Sequence, residues 1–154
     1  MTTSEMIDLA VEPLLKDKSV QCSNLAKRIE TPEELRDPNA IKAVMDLEGN
    51  ALYFSREPVP TAGVLGFDNI PVFKQVCIIP FRREALSLYS ELPPTPLEQA
   101  ESVDMMRFLE HGHKVRLVET SFSTHAVDTP EDLANAENLM RGDPLNAQYM
   151  ARNP

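Results

Sequence analysis

The residue of this sequence best placed for chemistry is an acid set where a strand hands over to a helix. The run Val127-Asp128-Thr129-Pro130-Glu131-Asp132-Leu133 ends an apolar stretch in a carboxylate and starts a helix at once. Thr129 suits the N-cap and Pro130 the first helical position, while Glu131 and Asp132 set negative charge against the positive end of the helix dipole. In α/β proteins the edge beyond the carboxyl ends of the strands is where ligands and metal ions bind. Asp128 therefore has two readings. It is a carboxylate ligand for a metal ion, or a cap of the kind Asp favours at turns.

Other residues divide between chemistry and structure. Arg56 follows an apolar strand pattern, and its planar donors suit a carboxylate through paired hydrogen bonds. Glu98 stands three residues after Thr95, the spacing of a capping-box acid, and that structural reading is preferred. His111 and His113 flank Gly112 at a helix stop and lack the further ligands that a metal site needs. His125 lies three residues before Asp128 and reads as a surface loop histidine. Cys22 and Cys77 are isolated, without metal-like spacing, and read as two reduced thiols.

The elements that must position these groups alternate between helix and strand. Ile7, Ala10, Val11, Leu14 and Leu15 recur at helical spacing over residues 4–15, with Pro13 expected to kink the helix or end it early. Residues 20–26 are a short mixed run that periodicity does not assign. Thr31-Pro32-Glu33-Glu34 opens a short helix with a capping box, closed by Asp37-Pro38. Residues 41–45 and 51–54 flank Asp46-Leu47-Glu48-Gly49-Asn50, a hairpin signal in which Gly49 supplies positive φ. Pro58, Pro60, Gly63, Gly66 and Pro71 mark a loop. A buried strand is predicted over 74–81, a short helix over 83–90 and a longer helix from Pro96 to about His111, stopped by Gly112. A strand over 115–118, a last strand ending at Val127 and a helix over 130–140 follow. Residues 1–140 form one domain in this reading, and 141–154 a polar tail expected to be mobile.

The 154 residues suffice for one domain with a real core. The net charge of -9 is spread along the chain, which argues against nucleic acid as a partner. Nucleotide binding stays open, because a triphosphate is met locally by metal and a few basic groups. The amino terminus lacks the pattern of a signal peptide, and the densest apolar run, 76–81, is too short to span a bilayer. The expectation is a cytoplasmic protein with no membrane partner.

Four collinear stretches resemble one enzyme family. These are Asp37-Pro38-Asn39-Ala40-Ile41-Lys42-Ala43-Val44, Gly49 to Pro60 with its Ala51-Leu52-Tyr53-Phe54-Ser55-Arg56 core, Pro93 to Ser102, and Val127 to Leu133. Together they are similar to the 3-deoxy-manno-octulosonate cytidylyltransferases, the CMP-Kdo synthetases, and the likeness spans most of residues 4–140. The resemblance implies an α/β fold with a mixed sheet flanked by helices, the carboxyl-terminal part of a nucleotide-diphospho-sugar-transferase-like (Rossmann-like) fold. It implies CTP and a 2-keto-3-deoxy sugar acid as substrates, CMP-sugar acid and pyrophosphate as products, and a place in lipopolysaccharide biosynthesis. Mg²⁺ is the implied cofactor, with Asp128 as its ligand and catalytic residue. Arg56, Gln75 and Asp104 fall at sugar-acid-binding positions.

The sequence departs from that family where the sugar is recognised. Gln75 replaces a histidine, Ile79 a tyrosine, and Met105 a glutamine beside the retained acid Asp104. Met105 and Met106 also read as core fillers. The family's amino-terminal phosphate-cradling segment and its first metal-binding Asp have no counterpart here, and Gly63 and Gly66 have no following Lys. The expectation is therefore a sugar-acid half without a nucleotide half, inactive as an isolated chain. A homodimer, or completion by an amino-terminal half, goes with it. The alternative is a non-catalytic module that binds a sugar acid or a partner.

Overall fold

The computed structural model describes residues 2–122, 127, 129–143 and 146. Five strands form one mixed sheet in the order β3-β2-β4-β1-β5, as a mixed α/β fold requires. The interior strand β1 (Ser23–Arg28) is antiparallel to the central β4 (Phe73–Val76) and parallel to β5 (Arg116–Thr120). Residues 23–26 are buried on both faces although their composition is half polar. The polar members are satisfied internally: Ser23 Oγ donates to Ala10 O, and Asn24 to two carbonyls. An interior strand built this way carries no alternation of apolar and polar residues, so periodicity could not assign it.

The hairpin of β2 (Lys42–Met45) and β3 (Ala51–Ser55) forms as predicted, with Gly49 at φ 81°. Asp46 builds its turn by accepting the N–H groups of Glu48 at 2.9 Å and Asn50 at 2.7 Å. The turn then reaches the far edge of the sheet. Leu117 N donates to Gly49 O and Ala51 N to Val115 O, both at 2.8 Å, so β3 and β5 meet at one end. The sheet is partly closed.

Four predicted features change. The first helix, α1 (Ser4–Lys16), runs through Pro13 instead of ending there. Pro13 falls in the last turn, where Arg82 collects carbonyls, donating to Leu14 O, to Asp17 O at 3.1 Å and to Val20 O at 2.9 Å. In α2 (Pro32–Arg36) only half of the capping box forms. Thr31 accepts the Glu34 N–H at 3.2 Å, but the Glu34 carboxylate turns to Lys74 at 2.5 Å and to the Glu30 N–H at 3.3 Å. β4 stops at Val76, where Ile78 N folds back onto Val76 O at 2.6 Å. Residues 78 and 80 still accept from β1, and Phe81 bridges to Cys22.

The fourth change matters most for the site. After α3 (Arg83–Glu91), the single helix predicted from Pro96 to His111 is two, α4 (Pro96–Glu101) and α5 (Met105–Glu110). Ser102 adopts a left-handed conformation (φ 52°) and breaks the run, with Val103 N bonded back to Glu98 O at 3.2 Å. The break lets α4 and α5 cover the outer edge of β3, whose free N–H groups would otherwise invite strand pairing. Phe54 N donates to Met106 Sδ and Arg56 N to Glu101 Oε2. It also drives Met105, Met106 and Phe108 into the main core, beside Phe54, Phe73, Val115 and Leu117. Both methionines are core fillers, one of the two readings their sequence positions allowed. Met6, Ala10, Leu25 and Val76 pack α1 on the other face.

Residues 4–122 make up the compact unit described so far; residues 1–3 with 123–154 form a second unit. Within the latter, α6 (Pro130–Arg141) begins at Thr129 as predicted. A capping box closes its start, with Thr129 N donating to Asp132 Oδ2 at 2.9 Å and Asp132 N to Thr129 Oγ1 at 3.1 Å. Val127 is exposed and outside any strand, and residues 123–126, on which the predicted last strand falls, lie outside the described residues. No helix among the described residues is long and apolar enough to cross a membrane.

Candidate substrate site

Arg56 leaves the end of β3 and is tied into three segments at once. Its Nε donates to Glu101 O at 2.8 Å, one terminal nitrogen to Pro38 O at 2.9 Å and the other to Ser102 O at 3.2 Å. Two of these carbonyls close α4, where a cation also meets the negative end of the helix dipole. An arginine carries five N–H donors, so three are committed and two are uncommitted among the described residues.

Two further charged groups fix this point. Glu101 accepts Tyr53 Oη at 3.0 Å, Ser55 Oγ at 3.1 Å and the Arg56 backbone N–H at 2.8 Å. Burial pushes its carboxyl up, but these hydrogen bonds and the Arg56 charge outweigh burial and hold it below the ordinary range. Lys42, fully buried at the start of β2, donates to Asp37 O at 2.9 Å and to Arg56 O. Burial pushes the Lys42 ammonium down, partly opposed by the negative charge of Asp37 and Glu57. The guanidinium is thus held by three backbone carbonyls, while Glu101 and Lys42 hold the Arg56 backbone N–H and C=O.

The other predicted positions fall in different surroundings. Gln75 projects from β4 and donates to Asn24 Oδ1 at 2.6 Å. Asp104 is exposed at the N-terminus of α5, and its backbone carbonyl accepts Tyr89 Oη at 3.2 Å. It stands two residues beyond Ser102, so Arg56 and Asp104 share the α4–α5 junction, whereas Gln75 belongs to the Asn24 pair. Asp128 and His125 lie outside the described residues. Among the described residues no three His, Cys, Asp or Glu side chains converge to hold a metal ion. Those residues alone do not build a Mg²⁺ site.

Glu98 is structural, as predicted, but with a larger role than capping. Its carboxylate takes the Thr95 N–H at 3.2 Å and pairs with Arg107 through Nε at 2.7 Å and a second nitrogen. The Arg107 hydrogen bonds hold the Glu98 carboxyl low. The reciprocal half of the box is taken over by Glu110, which accepts the Leu97 and Glu98 N–H groups at 3.0 and 3.2 Å. Thr95 Oγ1 is left buried without a partner among the described residues. His113 stacks on Phe108 at 4.5 Å, which accounts for it without metal.

Lys42, Glu101 and Asn24 were missed by sequence reasoning. A signal existed for Lys42, a cation inside the apolar run Ile41-Lys42-Ala43-Val44. Glu101 carries no comparable signal, being the second acid after Glu98 in the run Pro93 to Ser102.

The linked carboxylates predict an acid sensitivity. The Glu101 carboxyl is depressed in the folded state, so its stabilisation is complete above the ordinary value of about 4.5 and is lost as pH falls through the folded value. Glu101→Gln should therefore lose less stability than the parent chain between about pH 7 and pH 3.5. Urea midpoints at the two pH values measure this, and equal losses would show that Glu101 titrates normally.

Comparison with known proteins decides what this frame is. A family described as Cytidylyltransferase matches residues 1–115. The chain belongs to the cytidylyltransferase family. It is 43% identical over 139 residues to the 3-deoxy-manno-octulosonate cytidylyltransferase of Solibacter usitatus, covering 90% of this chain and 55% of that protein. With the enzyme of that name from Geobacter metallireducens the identity is 41% over 139 residues, covering 83% and 54%. A solved structure of CMP:2-keto-3-deoxy-manno-octonic acid synthetase complexed with CTP superposes with a TM-score of 0.84 at 30% identity. That match covers 92% of this chain and 57% of that one. This cytidylyltransferase chain spans about half the length of the curated relatives it matches.

Proposed function

We propose that this chain carries the sugar-acid side of a CTP-dependent cytidylyltransferase whose substrate is 3-deoxy-manno-octulosonate or a variant of it. The observation that supports this most is the 43% identity to a cytidylyltransferase of that name, which runs across 90% of the chain. In the reaction a sugar-acid hydroxyl attacks the α-phosphorus of CTP. An O–P bond forms, the bond to the β-phosphate oxygen breaks, pyrophosphate leaves, and the hydroxyl proton passes to solvent or a base. The product would feed lipopolysaccharide synthesis.

Arg56 offers its two uncommitted N–H groups to the substrate carboxylate, a charge-assisted contact stronger than a neutral one. Gln75 and Asp104 supply polar contacts to the hydroxyls. Asp128 is the ligand this reading gives to Mg²⁺, which when bound neutralises phosphate charge and orients its oxygens. Exposed Leu47, Leu52, Val64 and Leu65 on the hairpin and following loop support a homodimer through that surface. Sedimentation at the mass of one chain would count against it.

The 154 residues hold no glycine-rich segment with a basic residue for a triphosphate, and Mg²⁺ itself depends on substrate phosphates. Pyrophosphate release with CTP, Mg²⁺ and a panel of 2-keto-3-deoxy sugar acids tests the reading. No release is expected from these 154 residues alone, and release is expected from a polypeptide that adds a phosphate-cradling segment ahead of them. Turnover by the 154 residues alone would overturn the division into halves. Silence from the longer polypeptide with every sugar acid would overturn the function and favour a binding module.

A further inference from the structure

Gln75 lies opposite Ala26 in the β1–β4 pair, which makes Asn24 its diagonal neighbour on the same face of the sheet. Asn24 is fully buried, and its Nδ2 donates to Leu25 O at 2.8 Å and to Val76 O at 2.7 Å. A primary amide has two N–H donors, and its oxygen can only accept. Backbone carbonyls cannot donate, so the Asn24 amide has one permitted orientation, with Oδ1 facing Gln75. Gln75 must meet that oxygen with nitrogen, and it does, Nε2 to Oδ1 at 2.6 Å. The constraint passes outward. Gln75 is locked with Nε2 against Asn24, while Oε1, unpaired among the described residues, stays on the accessible side.

We propose that Asn24 is a positioning residue that fixes Gln75 as a hydrogen-bond acceptor for a hydroxyl of the bound sugar acid. This rests on the reading of Gln75 as a substrate-binding residue. A hydroxyl can donate to Oε1 and also accept from the remaining N–H of Nε2, whereas a carboxylate can only accept and would be repelled by Oε1. Arg56 has the opposite character, with two N–H donors and no acceptor. The two side chains therefore orient the substrate, with carboxylate toward Arg56 and a polyol hydroxyl toward Gln75.

Two measurements on the 154-residue chain test this. In ¹⁵N–¹H spectra, with the Gln75 side-chain amide assigned by its loss in Gln75→Met, the lock predicts hydrogen exchange about tenfold or more slower than for the exposed Gln21 amide. Exchange as fast as that of Gln21 would overturn the lock. Binding is then measured for 3-deoxy-manno-octulosonate and its mono-deoxyfluoro derivatives, since fluorine cannot donate. One derivative should bind about tenfold more weakly than the parent, and that penalty should vanish in Gln75→Met. A penalty for no derivative, or one that persists in Gln75→Met, would overturn the acceptor role. Failure of the parent sugar acid to bind would overturn the proposed function and the acceptor role together, while the exchange measurement still reports on the lock by itself.

Discussion

In the longer polypeptide of the proposed function, Asp128→Asn is expected to lower turnover by about two orders of magnitude or more, the scale of losing a contact to charge that develops in the transition state. Asn keeps the shape of Asp and caps a helix nearly as well, so stability should change by at most about 1 kcal/mol. The substitution therefore separates the two readings of this residue. A metal ligand loses its charge and turnover falls, with partial recovery in excess Mg²⁺; a cap loses almost nothing. Steady-state pyrophosphate release, paired with a urea midpoint, measures both. Near-normal turnover in a folded variant would remove Asp128 from the metal site.

The largest effect on stability should come from Phe108→Ala. Phe108 is fully buried on α5, with ring neighbours Phe81 at 5.9 Å, Tyr89 at 6.2 Å and His113 at 4.5 Å. Truncating such a ring removes its transfer free energy and leaves a cavity, together about 3–5 kcal/mol. The loss would be felt at the site, because α5 carries Met106, whose sulfur accepts the Phe54 N–H beside Arg56. Urea unfolding should show a lower midpoint with little change in slope. A cost below about 1 kcal/mol would mean that α5 is not anchored through this ring.

What could be read from residue order was whatever depends on near neighbours. The hairpin was legible because Asp46, Gly49 and Asn50 lie within five residues and build their own turn. The start of α6 was legible because Thr129 and Asp132 cap each other. The break between α4 and α5 was not, since Ser102 carries none of the signal that a glycine at φ 52° would have given. The carbonyls at the end of α1, beyond Pro13, are taken by Arg82, which lies far along the chain.

The candidate site follows the same rule. Arg56 could be named from its resemblance to a family motif, but its partners are backbone carbonyls of Pro38, Glu101 and Ser102. A carbonyl has no residue identity, so no sequence pattern announces it. Glu101 and Lys42 act on Arg56 for the same reason, through backbone groups brought together by the α4–α5 break and the β2–β3 pair. Gln75 was legible as a departure from its family, whereas its orientation needs Asn24 on the neighbouring strand.

Binding of 3-deoxy-manno-octulosonate to the 154-residue chain tests the central claim most directly, because it asks for the sugar-acid site without requiring turnover. A ¹⁵N–¹H titration should give saturable shifts at the Arg56 guanidinium and the Gln75 amide, and Arg56→Met should weaken binding by about tenfold or more. Shifts confined to other parts of the chain, or no saturation with the sugar acid, would contradict it.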